Sequence, residues 1–103
     1  MTMIVITGSV PTKADKREVA VAAMVTMQEA SLGETGCNKY QFGFAAQDPA
    51  LVMIYEEWVD QAALDAHFAA PHMATFGAAL KEVVAGPGSF TRYEVSSSGP
   101  LGG

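Results

Sequence analysis

Residues 3–10, MIVITGSV, are rich in β-branched side chains and closed by Pro11, a pattern that predicts a short strand ending in a turn. A helix follows. Thr12 can cap it with Asp15 three positions on, and Ala20, Ala23, Met24, Met27 and Ala30 recur at helical spacing as far as the Gly33–Gly36 break. In CNKYQFGFAA the residues Tyr40, Phe42 and Phe44 alternate with Lys39, Gln41 and Gly43, so this segment predicts a strand with one aromatic face. The turn QDPA separates it from LVMIYEEWV, and so short a connection predicts an antiparallel hairpin. Leu51 to Tyr55 are apolar at five consecutive positions, which requires cover on both faces of that strand. Asp60 suits the N-cap of a helix QAALDAHF, and Pro71 suits the first turn of another that runs to about Val84, the pair being bent at AAP. AGPG ends it, and SFTRYEVSS supplies a last strand.

The order strand, helix, strand, strand, helix pair, strand is that of an α+β, ferredoxin-like split βαβ domain: a four-stranded antiparallel sheet with helices on one face. The expected division is a domain over residues 1–95 and a flexible Ser/Gly-rich tail over 96–103, or an arm that orders on a neighbour. The two-sided apolar strand at 51–55 needs cover on the sheet face that the helices leave bare, and a second copy's sheet is the simplest supplier. The expectation is a homodimer with sheets face to face.

Composition strengthens that expectation. Half of the 103 residues are hydrophobic and only 17% are charged, more apolar surface than a domain of this size readily hides. A net charge of −5 with scattered Lys and Arg offers no footprint for nucleic acid or anionic lipid. No apolar run approaches the ~20 residues that span a bilayer, and MTMIVITGSV lacks a basic region followed by a cleavage site, so the expected location is cytoplasmic. The single cysteine, Cys37, cannot form an internal disulfide and reads as a small packed residue at a strand start, not as a reactive thiol.

The candidate chemistry lies in YEEWVDQAALDAHFAAPH, Tyr55 to His72, which holds the only tryptophan and both histidines. Strand alternation puts Val52, Ile54, Glu56 and Trp58 on one face. Leu64, His67 and Phe68 stand at i, i+3 and i+4, which turns His67 inward, and His72, Phe76 and Leu80, spaced by four, bias His72 the same way but nearer the rim. Trp58, His67 and His72 can therefore line one apolar cavity between sheet and helices, with Tyr40 and Phe42 as a further wall whose orientation the pattern leaves open. An imidazole suits proton transfer because its ordinary pKa is ~6.5. The competing readings are structural: histidines bonded to backbone carbonyls, Trp58 as core, Glu56 paired with Arg92 or Lys39, and Glu57 as a solvated or interface charge. A metal set of His67, His72 and Glu56 is disfavoured because Pro71 breaks the helical register between the histidines. The expectation is no metal and no other cofactor. AGPG and GETG match no nucleotide fingerprint.

YEEWVDQAALDAHFAAPHMATF, together with GCNKYQF and RYEV, resembles the antibiotic biosynthesis monooxygenase family over about residues 3–95, through its Glu-x-Trp strand end, acidic turn, Ala-Leu, and a His before a bend and a second His. The resemblance implies a dimeric α+β barrel with a cavity in each protomer. It includes quinol and polyketide monooxygenases that use oxygen without flavin or metal, haem-degrading enzymes and a sugar-phosphate isomerase. It carries the signature Trp onto Trp58, the signature His onto His67 and the second His onto His72. The haem-degrading branch has an Asn on the first strand where this chain has Thr7, which counts against that activity.

The function expected is a cofactor-independent monooxygenase that oxidises a small electron-rich aromatic, a hydroquinone or phenol, to a quinone with molecular oxygen. His67 is the expected base, Trp58 and His72 complete the catalytic set, and Tyr40, Phe42, Glu56, Phe68 and Phe76 are expected to hold the substrate. The alternatives are an isomerase or other proton-transfer enzyme acting on a small carbonyl compound, and a non-catalytic dimer that binds a small aromatic.

Overall fold

A computed structural model describes residues 2–102; Met1 and Gly103, the ends of the predicted domain and tail, lie outside the described residues. The chain forms β1 (Met3–Pro11), a 3-10 turn (Ala14–Lys16), α1 (Arg17–Leu32), β2 (Cys37–Ala45), β3 (Asp48–Trp58), α2 (Gln61–Phe68), α3 (Pro71–Val83) and β4 (Ser89–Val95). All strand pairs are antiparallel, in the order β2-β3-β1-β4, which is the ferredoxin-like α+β architecture that the element order predicts.

The register aligns side chains in rows across the helix-facing side. One row runs Tyr40, Glu56, Ile6, Arg92, and the next runs Phe42, Ile54, Gly8, Phe90. Trp58 and Ile4 lie in the row before these. Against them α1 presents Ala20, Met24, Met27 and Ser31, all buried and spaced along one stripe. Ile4, Met27, Tyr40, Trp58 and Leu64 form the core cluster, and burying a side chain of this size contributes about 1.5–3 kcal/mol. The backbone N–H of Phe42 donates to Gln28 Oε1 at 2.9 Å, so α1 also satisfies part of the β2 edge.

Two local expectations need correction. Thr12 does not cap α1: its hydroxyl donates to the Ala50 carbonyl, tying the end of β1 to β3, and α1 starts from the 3-10 turn with no side-chain cap. The hairpin turn is Ala46–Gln47, not QDPA, and Asp48 and Pro49 already belong to β3. Asp48 Oδ1 accepts the Ala50 N–H at 2.9 Å, which fastens this strand start. Asp60 caps α2 as expected, accepting from the Ala63 N–H at 2.9 Å, and Pro71 opens α3.

The outer face of the sheet carries no helix. Met53 and Tyr55 keep 43% and 39% of their surface exposed there, and Tyr93 on β4 is exposed on the same face. Cover for both faces of residues 51–55, which the apolar run requires, is thus present on one side only within the chain. Glu57 shares the outer side but is not a solvated charge: it is buried and lies 3.2 Å from Lys39 Nζ on β2.

Candidate functional site

α1, α3 and the sheet enclose a cavity of about 480 Å³, within the range of small-molecule pockets. Its floor is formed by Ile6, Ile54 and Val52, its roof by Met24, Met73, Phe76 and Leu80. Tyr40, Phe42, Glu56, Phe68 and Phe76 all line it, as does His67, so the aromatic face of β2 meets the cavity. The inner end is closed: Tyr40, Glu56 and His67 are buried. Phe68 and Phe90, each 58% exposed, and exposed Arg92 also line the cavity, which reaches solvent where these residues stand.

His67 is 1% exposed. α2 delivers it between aromatic rings, with centroids 4.6 Å from Trp58 and 5.3 Å from Tyr40. Its Nδ1 lies 2.6 Å from Glu34 Oε2, and the same oxygen lies 2.8 Å from His72 Nε2. A carboxylate oxygen accepts, so Nδ1 donates in this contact and Nε2, the other nitrogen of a ring that lines the cavity, is not engaged by Glu34. Neither backbone carbonyl bonding nor Glu56 orients the ring.

Glu34 is the residue that sequence reasoning missed. It sits in the GETG turn, 33 residues before His67 and 38 before His72, where the sequence pattern marks only a break between helix and strand. The turn is held against α2 by Gly36, whose φ of +86° favours glycine and whose lack of a side chain leaves room for Ala63 and Val59: a Cβ there would stand 2.7 Å from Ala63 Cβ. The Gly36 carbonyl also accepts the Val59 N–H at 2.9 Å.

Glu56 pairs with neither Arg92 nor Lys39. It accepts a bond from Trp58 Nε1 at 2.9 Å, an i, i+2 contact along one face of β3. Burial raises its carboxyl pKa, with Glu34 adding to the rise, while the Trp58 bond and His67 oppose it. Trp58 itself is fully buried and stands one layer behind the cavity, packing His67 and fixing Glu56. Tyr40 is held well above the ordinary phenol range, first by burial and then by Glu56. The Cys37 thiol is pushed up to about 11 by burial, then by Glu34 and Glu56, which agrees with a packed residue more than a reactive thiol.

Pro71 does not keep the histidines apart: their ring centroids lie 5.9 Å from each other. The donor atoms of Glu34, His67 and His72 all fall within 4.8 Å of one another, a two-histidine, one-carboxylate set that could hold a divalent metal with Glu34, not Glu56, as its acid. Thr7 pairs with Tyr55 on the outer side of the sheet, away from His67 and Trp58.

Residues 3–79 match the family described as antibiotic biosynthesis monooxygenase. YcnE of Bacillus subtilis, which carries a provisional monooxygenase name, is 30% identical over 91% of this chain and 99% of its own length. The protein sll1783 of Synechocystis sp., whose name leaves its function open, is 31% identical over 95% of this chain and 67% of its own length. Among solved structures, a candidate antibiotic biosynthesis monooxygenase from Nitrosomonas europaea superposes with a TM-score of 0.86 at 24% identity, covering 91% of this chain and 90% of that one, a likeness of fold. With the match spanning the sheet as far as β3, α1, α2 and most of α3, the chain belongs to the antibiotic biosynthesis monooxygenase family.

Proposed function

We propose that the chain is a cofactor-independent monooxygenase that converts a small phenol or hydroquinone to a quinone with molecular oxygen. The observation that carries this reading is the 2.6 Å contact from Glu34 to His67 Nδ1 at the wall of an apolar cavity. In this reading Nε2, which Glu34 does not engage, takes a proton from a bound hydroxyl, and Glu34 stabilises the imidazolium that results.

A phenolate is electron-rich enough to pass one electron to oxygen, giving a phenoxyl radical and superoxide. Their recombination forms a ring C–O bond, and cleavage of the O–O bond yields the quinone. The phenol's proton and one ring hydrogen leave in water, so one oxygen atom enters the product and the other leaves. A hydroquinone that reacts in the same way takes one oxygen atom onto its ring and leaves as a hydroxyquinone, the second oxygen atom departing with two hydrogens as water. In this reading Glu56, which also lines the cavity, returns a proton to the departing oxygen; burial raises its carboxyl pKa, which favours that role. The apolar walls from Phe42, Phe76 and Met73 keep water from the radical pair.

The test is oxygen uptake with a hydroquinone or phenol by protein treated with a chelator. Turnover that survives chelation and is lost in His67→Ala, with the fold intact by circular dichroism, supports the reading. Turnover that follows bound metal would transfer the chemistry to a metal held by Glu34, His67 and His72, and unchanged turnover in His67→Ala would remove this histidine from the reaction.

The same proposal includes a homodimer. The exposed outer-face residues Met53, Tyr55 and Tyr93 support it, since a second sheet would bury them as a sandwich buries its inner faces.

A further inference from the structure

Arg92 is the one arginine or lysine among the described residues lining the cavity, and its place is set by two independent rulers. Across the sheet it shares a row with Ile6, Glu56 and Tyr40, so at ordinary strand spacing it stands two strands, about 10 Å, from Glu56. Along α2, its Nε donates to Gln61 Oε1 at 2.8 Å, and His67 lies six residues further on, about 9 Å of helix rise. Both measures separate the two ends of this row by about 10 Å, with exposed Arg92 at one end, buried Glu56 and His67 at the other, and apolar Ile6 between.

The fork is only partly used. Nε goes to Gln61 and one terminal nitrogen lies 3.1 Å from Glu94 Oε1; a guanidinium has five N–H donors, and the others have no hydrogen-bond partner among the described residues. Arg92 is exposed and so keeps its charge hydrated until a ligand covers it. A single aromatic ring, with one hydrogen bond at each end, spans the distance that the rulers give.

We infer that Arg92 anchors a carboxylate on the substrate, so that the substrate class is a hydroxylated aromatic acid bound with its hydroxyl toward His67 and Glu56 and its acid group at the cavity mouth. The inference rests on the cavity being the reaction site, as proposed above. It makes Arg92 a specificity-determining residue: the carboxylate selects which phenols enter and turns the reacting hydroxyl inward.

Calorimetric titration with 4-hydroxybenzoate and with its neutral methyl ester tests this without any turnover. The wild-type protein is expected to bind the acid about tenfold more tightly than the ester, the size of a charge-assisted hydrogen bond. Arg92→Gln should bring that ratio near one, chiefly by weakening binding of the acid, and Arg92→Lys should keep part of it. Gln61→Ala, which removes the clamp to α2 but not the charge, should keep the preference. Equal preference in wild type and Arg92→Gln, loss of preference in Gln61→Ala alone, or no binding of the acid overturns the inference. Preferential binding of the acid with no oxygen uptake would instead count against the monooxygenase reading and leave the anchor standing.

Discussion

Glu34 Oε2 lies 2.6 Å from Nδ1 of a histidine, His67, that is almost wholly shut off from solvent. The oxygen also holds His72 at 2.8 Å, so one carboxylate from a turn joins the end of α2 to the start of α3. If His67 is the base proposed above, the imidazolium it forms needs a countercharge within hydrogen-bond reach, and Glu34 is the group that would supply it.

Glu34→Gln is therefore expected to lower kcat with hydroquinone by about 10²-fold or more, with KM little changed. The amide oxygen can still accept one hydrogen bond but brings no charge to the imidazolium. His72→Ala, which frees one side of Glu34 at a residue that does not line the cavity, should cost less than Glu34→Gln. Steady-state oxygen consumption by the two variants measures the order; a reversed order would mean that His72 acts directly.

Glu56→Gln should be more stable than wild type at neutral pH. Burial raises the Glu56 pKa in the folded protein, so its stabilising contribution is fully present below the unfolded carboxyl pKa and is lost as pH rises through the folded value. The glutamine is insensitive to this change and its carbonyl can still accept the Trp58 N–H. Thermal midpoints compared across the acid range should thus separate as pH rises, the variant above; a gap that stays constant from pH 3 to pH 8 (about the carboxylate range and beyond) would contradict the sign.

Gly36→Ala is expected to destabilise the fold. A left-handed φ of +86° costs an alanine about 1–2 kcal/mol, and the added Cβ would stand 2.7 Å from Ala63. For a domain near this size each kcal/mol corresponds to about 4–8 °C in Tm. Gly99→Ala, with nothing within 4 Å of the added atom, is the control and should leave Tm unchanged. Because the same turn carries Glu34, residual activity in Gly36→Ala should fall by more than its folded fraction.

Substitution of Tyr55 by Glu, or of Met53 by Lys, should shift the sedimentation of the protein from twice the chain mass to the chain mass while leaving the far-ultraviolet spectrum in place. Both side chains are exposed on the bare sheet face, where a charge would be tolerated in a monomer but buried between two sheets. Sedimentation as a monomer before any substitution would sink the dimer.

Much of the architecture is legible along the chain. Alternation assigned Tyr40 and Phe42 to one face of β2 and Glu56 and Trp58 to one face of β3, and the i, i+3, i+4 stripe turned His67 inward, because strand and helix periods are properties of the backbone alone. Asp60 and Pro71 announced their helices for the same reason: capping is satisfied within a few residues. The Thr12 cap failed where a long-range partner, the Ala50 carbonyl, took the hydroxyl instead.

What tertiary structure alone decided are the pairings between distant segments. Glu34 meets two histidines more than thirty residues away, Trp58 takes Glu56 from the partners that charge pairing suggested, and Lys39 goes to Glu57. Arg92 faces the cavity mouth because antiparallel register places it in the row of Ile6 and Glu56, a fact that belongs to the sheet and not to any one strand. A periodic pattern says which way a side chain points, since that depends on local dihedral angles; it carries no information on what stands opposite, which is set when sheet and helices close on each other and each buried polar group must find a partner.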